Sequence, residues 1–431
     1  MTAALAAALL LAAGPGPGPV PGTVLTLDEA VKLARQGQPA LRQARAATAV
    51  ADARAGEAFA GFLPRLDASL GYLRASSNQA PSAFVPSRAD SWSSSRSCKA
   101  AATASMTVWD SGTTLGRYQA ASATAAAQQA TERATMAQVL LNVRTAFFAA
   151  RARRDLVAVA EETLANQEAH LKQTEGFVSV GTRPQIDLAQ ARTDRANAEV
   201  SRIGAVASYQ TAKAQLNQAM GIEATTGFDV ADDQLPAVEG EDSTIDQLVG
   251  EALEARPEMA SLEAQLRAQE WVVTAARGGW WPSLGVSAGL TDTGPELTGR
   301  SLTWNWSAGA TLSWNLFQGG MTRSLVREAE AGLENVRAQL ASLRLQVRLD
   351  LEQARFAVSS ARAKLVATEE ALTNARERLR LAQGRYAAGS GSALEQADAQ
   401  LQVTLASAQK VSAQYDLSSA RAQLLVSLGR P

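Results

Sequence analysis

The sequence has almost no cysteine or histidine. It contains one of each in 431 residues, Cys98 and His170. A single cysteine excludes an internal disulfide framework, and a single histidine argues against a metal or acid–base centre built on imidazoles. No glycine-rich phosphate loop follows a candidate strand. We therefore predict no enzyme, no cofactor and no metal site, and we expect His170 to be packed or solvated.

An excess of charge of one sign is also missing. The 41 lysines and arginines nearly balance 42 aspartates and glutamates, which leaves a net charge of −1, and only 5% of the residues are aromatic. A nucleic-acid-binding protein would show a basic excess. The composition thus excludes a dedicated nucleic-acid partner.

Proline is absent from two long stretches, between Pro86 and Pro184 and between Pro295 and Pro431. Alanine, leucine, glutamine and arginine dominate the chain, a mixture typical of long helices and coiled coils. Because proline interrupts helices, these stretches predict two very long helices.

The N-terminus carries a short apolar run, Ala3 to Ala13, followed by a Gly/Pro tract up to Gly22. The run is too short to span a membrane and resembles the apolar region of a secretory signal, although a basic start is missing. We predict a signal peptide at 1–22; a low-complexity tail is the alternative.

The two halves of the chain resemble each other. Phe62-Leu63-Pro64 corresponds to Trp280-Trp281-Pro282, and Val180-Gly181-Thr182 corresponds to Ala388-Gly389-Ser390. We therefore predict one unit in two copies, residues 23–222 and 243–431, joined by an acidic linker at 223–242.

Alternating segments predict two strands in each copy, at about 65–75 and 100–110 and at about 282–292 and 303–316. In the last segment Trp304, Trp306 and Leu312 belong to an apolar series that alternates with Thr, Ser, Asn and Gly. Such lengths suit tilted membrane strands of about 9–11 residues. The Ser-rich connection between Ala75 and Lys99 is expected to be an exposed loop.

Four strands are too few for a membrane barrel, which needs about 8 or more and no open edge. A membrane location therefore requires several chains, two for 8 strands or three for 12. One face of a soluble β-sandwich remains the alternative at this point.

Long helical hairpins are predicted at 113–220 and 321–429. A heptad seam on the second hairpin indicates coiled-coil packing. Its members are Val347, Leu351, Ala354, Val358, Ala361, Leu365, Thr368, Leu372, Ala375, Leu379, Ala382 and Tyr386. The seam recurs in the first hairpin at Val143, Ala150, Val157, Leu164, Leu171 and Val178.

The duplicated strand–strand–helix unit and the Trp314 to Gly320 turn resemble the outer membrane efflux protein family, the TolC-like channels of Gram-negative bacteria. The resemblance covers residues 25–431. It implies a mainly α fold with a β part: a homotrimer whose four strands per chain complete a 12-stranded transmembrane β-barrel. Long coiled-coil hairpins continue this barrel as an α-barrel in the periplasm. The outer membrane would be the location and its lipid one partner.

By the same resemblance, the two hairpin tips would contact a periplasmic adaptor protein that joins the channel to an inner-membrane pump. The matching tip residues are Val180, Gly181, Thr182, Ala388, Gly389 and Ser390.

The resemblance also implies a closed aperture ringed by carboxylates, here Glu395 and Asp398, which share a helical face. The Tyr and Asp of the family's latch match Tyr386 and Asp187, but Gly391 occupies the arginine position. Arg385 or Arg183 is expected to substitute for it.

Together these features predict a passive exit channel, either of a tripartite efflux pump or of a type I secretion system. It would be opened by the adaptor and powered by the pump. The alternative is a periplasmic coiled-coil structural protein that does not form a channel.

Overall fold

The computed structural model describes residues 22–78, 92–223, 225–241, 243–294 and 303–430. Residues 1–21 of the predicted signal peptide and residues 79–91 of the Ser-rich connection lie outside these ranges. The helices and strands, in chain order, are β1 (Val24–Leu25), α1 (Leu27–Gly37), α2 (Pro39–Phe59), β2 (Arg65–Asn78), β3 (Trp92–Trp109), α3 (Thr113–Ser179), α4 (Gln185–Met220), β4 (Asp229–Val230), α5 (Ile245–Ala255), α6 (Pro257–Gly278), β5 (Ser283–Gly294), β6 (Thr303–Ser313), α7 (Met321–Ala387) and α8 (Ala393–Ser427).

The chain divides into two compact units. The sheet unit contains residues 47–128 and 261–340, and the hairpin unit contains the described residues up to 46 together with 129–260 and those from 341 onward. No helix among the described residues is both long and apolar enough to cross a membrane.

Strands β2, β3, β5 and β6 form an antiparallel sheet in that order. β2 pairs with β3 along its whole length, from Arg65 opposite Ser105 to Asn78 opposite Trp92. In the described part of the chain, β2 and β6 each have one neighbour, so the sheet is open at both edges. Open edges expose backbone donors and acceptors that need further partners.

One face of this sheet is apolar and exposed within the single chain, which confirms the predicted alternation. Leu290 lies directly opposite Trp306 on this face. Its large members with at least 62% exposure are Leu66, Leu70, Tyr72, Trp304, Trp306 and Leu312.

The strands differ in length from the prediction. β2 and β3 reach Asn78 and Trp92, so parts of the Ser-rich connection predicted to be a loop are strand. The prediction stopped where the apolar alternation ended, whereas ladder hydrogen bonds join backbone groups and do not require apolar side chains. β6 ends at Ser313 instead of residue 316, and the indole of Trp314 donates to the carbonyl of Trp280 at 3.2 Å.

Each long helix, α3 and α7, has 67 residues, about 100 Å at 1.5 Å per residue. Both end in the same type of turn, with Gly181 and Gly389 at φ 76° and 77°. After α3 the N–H of Thr182 bonds to the carbonyl of Phe177, and after α7 the N–H of Ser390 bonds to that of Arg385, each at 3.0 Å. This hydrogen bond and the left-handed glycine define a Schellman ending, as the glycines predicted.

The heptad seam on α7 is confirmed, because most of its side chains are buried. Val347, Leu351, Ala354, Val358, Ala361, Thr368, Leu372, Leu379, Ala382 and Tyr386 are at most 9% exposed. Leu365 and Ala375 are partly buried. Leu372, Leu379 and Ala382 pack against Ala399 and Val403 of α8. On α3 the seam is confirmed in part: Val143 and Ala150 are fully buried, whereas the later positions are half-buried.

The linker at 223–242 is less irregular than predicted, because β4 pairs in parallel with β1. Arg151 of α3 holds this segment: its Nε donates to Asp232 at 2.7 Å, and another guanidinium nitrogen donates to the carbonyl of Asp233 at 3.2 Å. Phe228 joins the buried cluster of the hairpin unit. Backbone pairing and arginine contacts therefore fasten the linker to the long helices.

A second arginine, Arg421 of α8, also contacts the linker, and its substitution tests how much this contact stabilises the fold. Its Nε lies 3.3 Å from Glu241, whose side chain is only 5% exposed. Arg421→Ala leaves this buried carboxylate without its cation, and we expect a loss of about 3 kcal/mol in the free energy of unfolding. Lys364→Ala, which removes a half-exposed pair with Asp416, is the control and should cost below about 1 kcal/mol. Equal losses in a denaturant titration would contradict the role of Arg421.

Candidate gate and hairpin tips

The predicted tip residues lie in the two turns that close the helical hairpins. Val180, Gly181 and Thr182 connect α3 to α4, and Ala388, Gly389 and Ser390 connect α7 to α8; all six are exposed. Apolar side chains flank these turns, with Val180, Ile186 and Leu394 between 71% and 79% exposed. Within the hairpin unit the tips are therefore free to contact another protein.

Arg183 joins the first tip to the second. Its guanidinium donates to the carbonyl of Gly391 at 3.3 Å and lies over the ring of Tyr386, 4.5 Å from the centroid. A side chain at Gly391 would place its Cβ 2.9 Å from the backbone nitrogen of Tyr386. Of the two arginines expected to replace the missing one, Arg183 is thus the one that contacts Tyr386.

Tyr386 is the centre of a buried aromatic cluster. It is 1% exposed, and its ring centroid lies 5.4 Å from that of His170 and 6.1 Å from that of Phe177. Its hydroxyl has no hydrogen-bond partner among the described residues. Asp187, the other matched residue of the family's latch, lies in the first turn of α4, and no hydrogen bond joins it to the Tyr386 hydroxyl in the described part of the chain.

Glu395 and Asp398 begin α8, where Ser392 caps the helix by accepting from the N–H of Glu395 at 3.1 Å. Each carboxylate pairs with an arginine of α7: Glu395 with Arg385 at 2.8 Å and Asp398 with Arg378 at 2.5 Å. All four side chains are between 36% and 59% exposed. Both acids were predicted from the sequence but Arg378 was not, because Arg378 and Asp398 lie on different helices.

His170 is packed, as expected, and lies against Tyr386. Burial lowers its pKa, and the nearby carboxylates of Asp194 and Asp187 only partly offset this. Its Nδ1 is buried and has no hydrogen-bond partner among the described residues. Burial therefore favours the neutral form of the imidazole beside Tyr386.

Acid should weaken this part of the hairpin unit. Because the pKa of His170 is lower in the folded than in the unfolded chain, the unfolded chain binds more protons. Stability is then complete above the unfolded pKa of about 6.5 and falls as the pH drops through the folded pKa. We expect the thermal midpoint to fall more between pH 7.5 and 5 than it does in His170→Gln. Parallel pH profiles of the two proteins would contradict this role.

Apolar side chains also lie on helix faces that are exposed among the described residues. They follow helical spacing on three helices of the hairpin unit and are 46–79% exposed: Ile186, Val200 and Ile203 of α4, Leu345, Leu349 and Phe356 of α7, and Leu394, Leu401 and Leu405 of α8. Exposed apolar seams of this kind mark contacts with another protein chain.

Residues 30–222 and 248–430 match the outer membrane efflux protein family. The match covers most of the sequence, so the chain belongs to this family, which confirms the resemblance. This family consists of outer-membrane proteins, so the location implied by the resemblance is confirmed.

Curated relatives share modest identity with the chain. The outer membrane efflux protein BepC of Brucella suis is 23% identical over 283 residues, which are 64% of this chain and 60% of BepC. The solvent efflux pump outer membrane protein SrpC of Pseudomonas putida is 26% identical over 311 residues, 70% of this chain and 64% of SrpC. The chain thus spans less than two thirds of the length of these relatives.

Solved channels share the fold. The CmeC outer membrane channel of Campylobacter jejuni superposes with a TM-score of 0.80 at 19% identity, covering 94% of this chain and 85% of that one. The open state of the MtrE outer membrane channel of Neisseria gonorrhoeae gives 0.73 at 20% identity, covering 94% and 88%. The mainly helical fold with a small sheet, expected from the sequence, is that of these channels.

Proposed function

We propose that the chain is one protomer of a homotrimeric exit channel in the outer membrane, which serves a tripartite efflux pump. The observation that carries this proposal is the four-stranded sheet, which has an exposed apolar face and two open edges. Lipid acyl chains offer no hydrogen-bond partners to the backbone N–H and C=O groups of an open edge, so both edges must pair with further strands. Three copies of four strands would make the 12-stranded barrel, and β2 of one chain would pair with β6 of the next.

The exposed helical seams support the same assembly. In a ring of three chains they would pack against the hairpins of the neighbouring copies and form an α-barrel in the periplasm. At about 25 cal/mol per Å² of apolar surface, burying nine large side chains per chain favours association strongly. The belt around this barrel would be the linker and the short helices.

We also propose that each half of the chain, residues 23–222 and 243–431, is one copy of a duplicated unit. The equal lengths of α3 and α7 and the matching Schellman turns support this. Residues 1–22 would be the export signal, and 223–242 the connection between the copies.

The tips would dock on a periplasmic adaptor, and an inner-membrane pump would supply the energy. Val180, Gly181, Thr182, Ala388, Gly389 and Ser390 are exposed and flanked by apolar side chains, as a protein-binding tip requires. The efflux assignment is preferred to type I secretion because SrpC belongs to a solvent efflux pump and TtgI, which is equally similar, to a toluene efflux pump.

The aperture would be formed by Glu395 and Asp398 of three chains, near Tyr386 and Asp187. Because Gly391 replaces the arginine of the family's latch, Arg183 would restrain the tips through Tyr386 and the carbonyl of Gly391. This restraint lies within one chain. We therefore expect neighbouring chains to be held together less firmly at the closed end.

The test is to extract the full-length protein in detergent, measure its native mass and record conductance in planar bilayers. We expect three times the mass of the chain and stepwise conductance that increases in Arg183→Gln. A protein that is extracted without detergent and never conducts would refute the channel and favour a periplasmic coiled-coil protein.

A further inference from the structure

Two arginines face each other on the apolar face of the sheet. Arg74 of β2 is directly opposite Arg96 of β3, and both are exposed. Side chains at such positions project to the same face with Cβ atoms about 5 Å apart, where like charges repel. Among the described residues no ion pair is found for either arginine, and Asp292, a carboxylate of β5 on the same face, lies opposite Ala100, four residues from Arg96 along β3. The strand register therefore holds two cations together without an ion-pair partner in the described part of the chain.

The pair lies where the apolar face ends. Successive residues of β2 on this face are Leu66, Ala68, Leu70, Tyr72, Arg74 and Ser76. Leu66 and Arg74 are about 26 Å apart along the strand at 3.3 Å per residue, which a barrel tilt near 40° reduces to about 20 Å of height. The apolar band of an outer-membrane barrel is about 25 Å tall. With their long side chains, both guanidinium groups reach its boundary.

Along β2 and β3 the side chains of this face change in the order that a membrane boundary requires, whereas Asp292 of β5, level with Leu70, places one carboxylate on the same face. Tyr72, opposite Cys98, comes just before the arginines and places an aromatic ring at the edge of the apolar band. Ser76 and Ser94 lie opposite each other, two residues beyond Arg74 and Arg96 on their strands. They place hydroxyl groups on the same face, further from the helices. The sequence of apolar, aromatic, cationic and hydroxyl side chains matches the passage from acyl chains to headgroups.

We propose that Arg74 and Arg96 together bind the phosphate group of a phosphorylated glycolipid in the outer leaflet of the outer membrane. A phosphate accepts paired hydrogen bonds from each planar guanidinium, so one anion converts the repulsion of the pair into charge-assisted bonds. The proposal rests on the proposed channel, because that orientation places this end of the sheet away from the periplasm.

The same hairpin provides a matched control. Lys99 of β3 lies opposite Gly71, an odd number of positions from Arg96, so it belongs to the other face of the sheet. It has the same charge and is exposed, but in the proposed channel it faces the lumen. A phosphate site on the lipid face requires the arginines and not Lys99.

The experiment uses the full-length protein in nanodiscs of phosphatidylcholine to which lipid A, with or without its phosphates, is added. Bound lipid A is counted by native mass spectrometry. We expect Arg74→Gln/Arg96→Gln to bind phosphorylated lipid A at least about tenfold more weakly, since charge-assisted bonds are lost. Lys99→Gln should bind as the wild type does, and dephosphorylated lipid A should not distinguish the proteins.

Unchanged binding by the double variant, an equal loss in Lys99→Gln, or equal binding of dephosphorylated lipid A would overturn the proposal. Inorganic phosphate is a separate arm, and displacement of lipid A by millimolar phosphate would assign the site to a free anion instead. If the double variant does not fold, the single variants Arg74→Gln and Arg96→Gln should each lose part of the binding. Conductance is recorded on the same preparations: a wild type that does not conduct refutes the channel, whereas the lipid result is read independently.

Discussion

Arg378→Gln combined with Arg385→Gln is expected to make the proposed channel strongly selective for cations. In the wild type these arginines lie 2.5 Å and 2.8 Å from the carboxylates of Asp398 and Glu395. Each acid that would line the aperture therefore has its own counter-charge in the same chain. Exposed ion pairs of this kind add little to the free energy of unfolding. Each arginine nevertheless offsets the negative electrostatic potential of the carboxylate beside it.

Removing the two cations leaves six bare carboxylates around the aperture of the proposed trimer. A ring of carboxylates attracts cations and rejects anions, and its acids also repel one another. We thus expect the variant to shift the reversal potential in a salt gradient towards the cation potential, to be more sensitive to block by polyvalent cations and to open more often.

The control is Arg380→Gln, which removes the ion-pair partner of Glu377, three residues earlier on α7. It leaves the ion pairs of Glu395 and Asp398 intact. It removes one positive charge per chain but should leave the reversal potential close to that of the wild type. If Arg380→Gln and the double variant shift it equally, the effect reflects net charge and the cis pairing of the aperture acids is not the cause.

Leu351→Asp is expected to abolish folding of the hairpin unit. Leu351 is 0% exposed in the heptad seam of α7. The variant loses a buried leucine and places a carboxylate among apolar side chains, which together cost more than about 4 kcal/mol. Far-UV circular dichroism and limited proteolysis of the purified protein measure the loss.

Phe356→Asp, five residues further along the same helix, separates folding from assembly. Phe356 is 70% exposed within the chain, so the variant should fold and keep its helical content. In the proposed trimer its ring is buried against a neighbouring chain, and a carboxylate there should shift the native mass from trimer to monomer. A Phe356→Asp protein that remains trimeric would show that the seam at Leu345, Leu349 and Phe356 is not a subunit contact.

The sequence predicted features that depend on near neighbours in the chain. The seam of α7 follows from a seven-residue repeat, and the Schellman turns follow from Gly181 and Gly389. Alternation around Trp304 and Trp306 identified the apolar face of the sheet. In each case the signal is local, because helical and extended chains impose fixed periods on side-chain direction.

Contacts between distant segments could not be predicted in the same way. The pairing of Asp398 with Arg378 depends on the stagger of two helices, and the position of Arg183 over Tyr386 depends on how two turns meet. Asp187, matched to the same latch as Tyr386, forms no hydrogen bond with the Tyr386 hydroxyl among the described residues. Local periodicity carries no information about such offsets.

The sequence by itself determined the types of element in this protein, their order and the faces they bury, because these follow from the apolar pattern. Only the tertiary structure decided the strand register, which sets Arg74 opposite Arg96 and extends β2 and β3 beyond their apolar residues. It also decided which arginine neutralises which acid. The physical reason is that ladders and ion pairs join residues far apart in sequence, and their geometry is fixed only when the chain has packed.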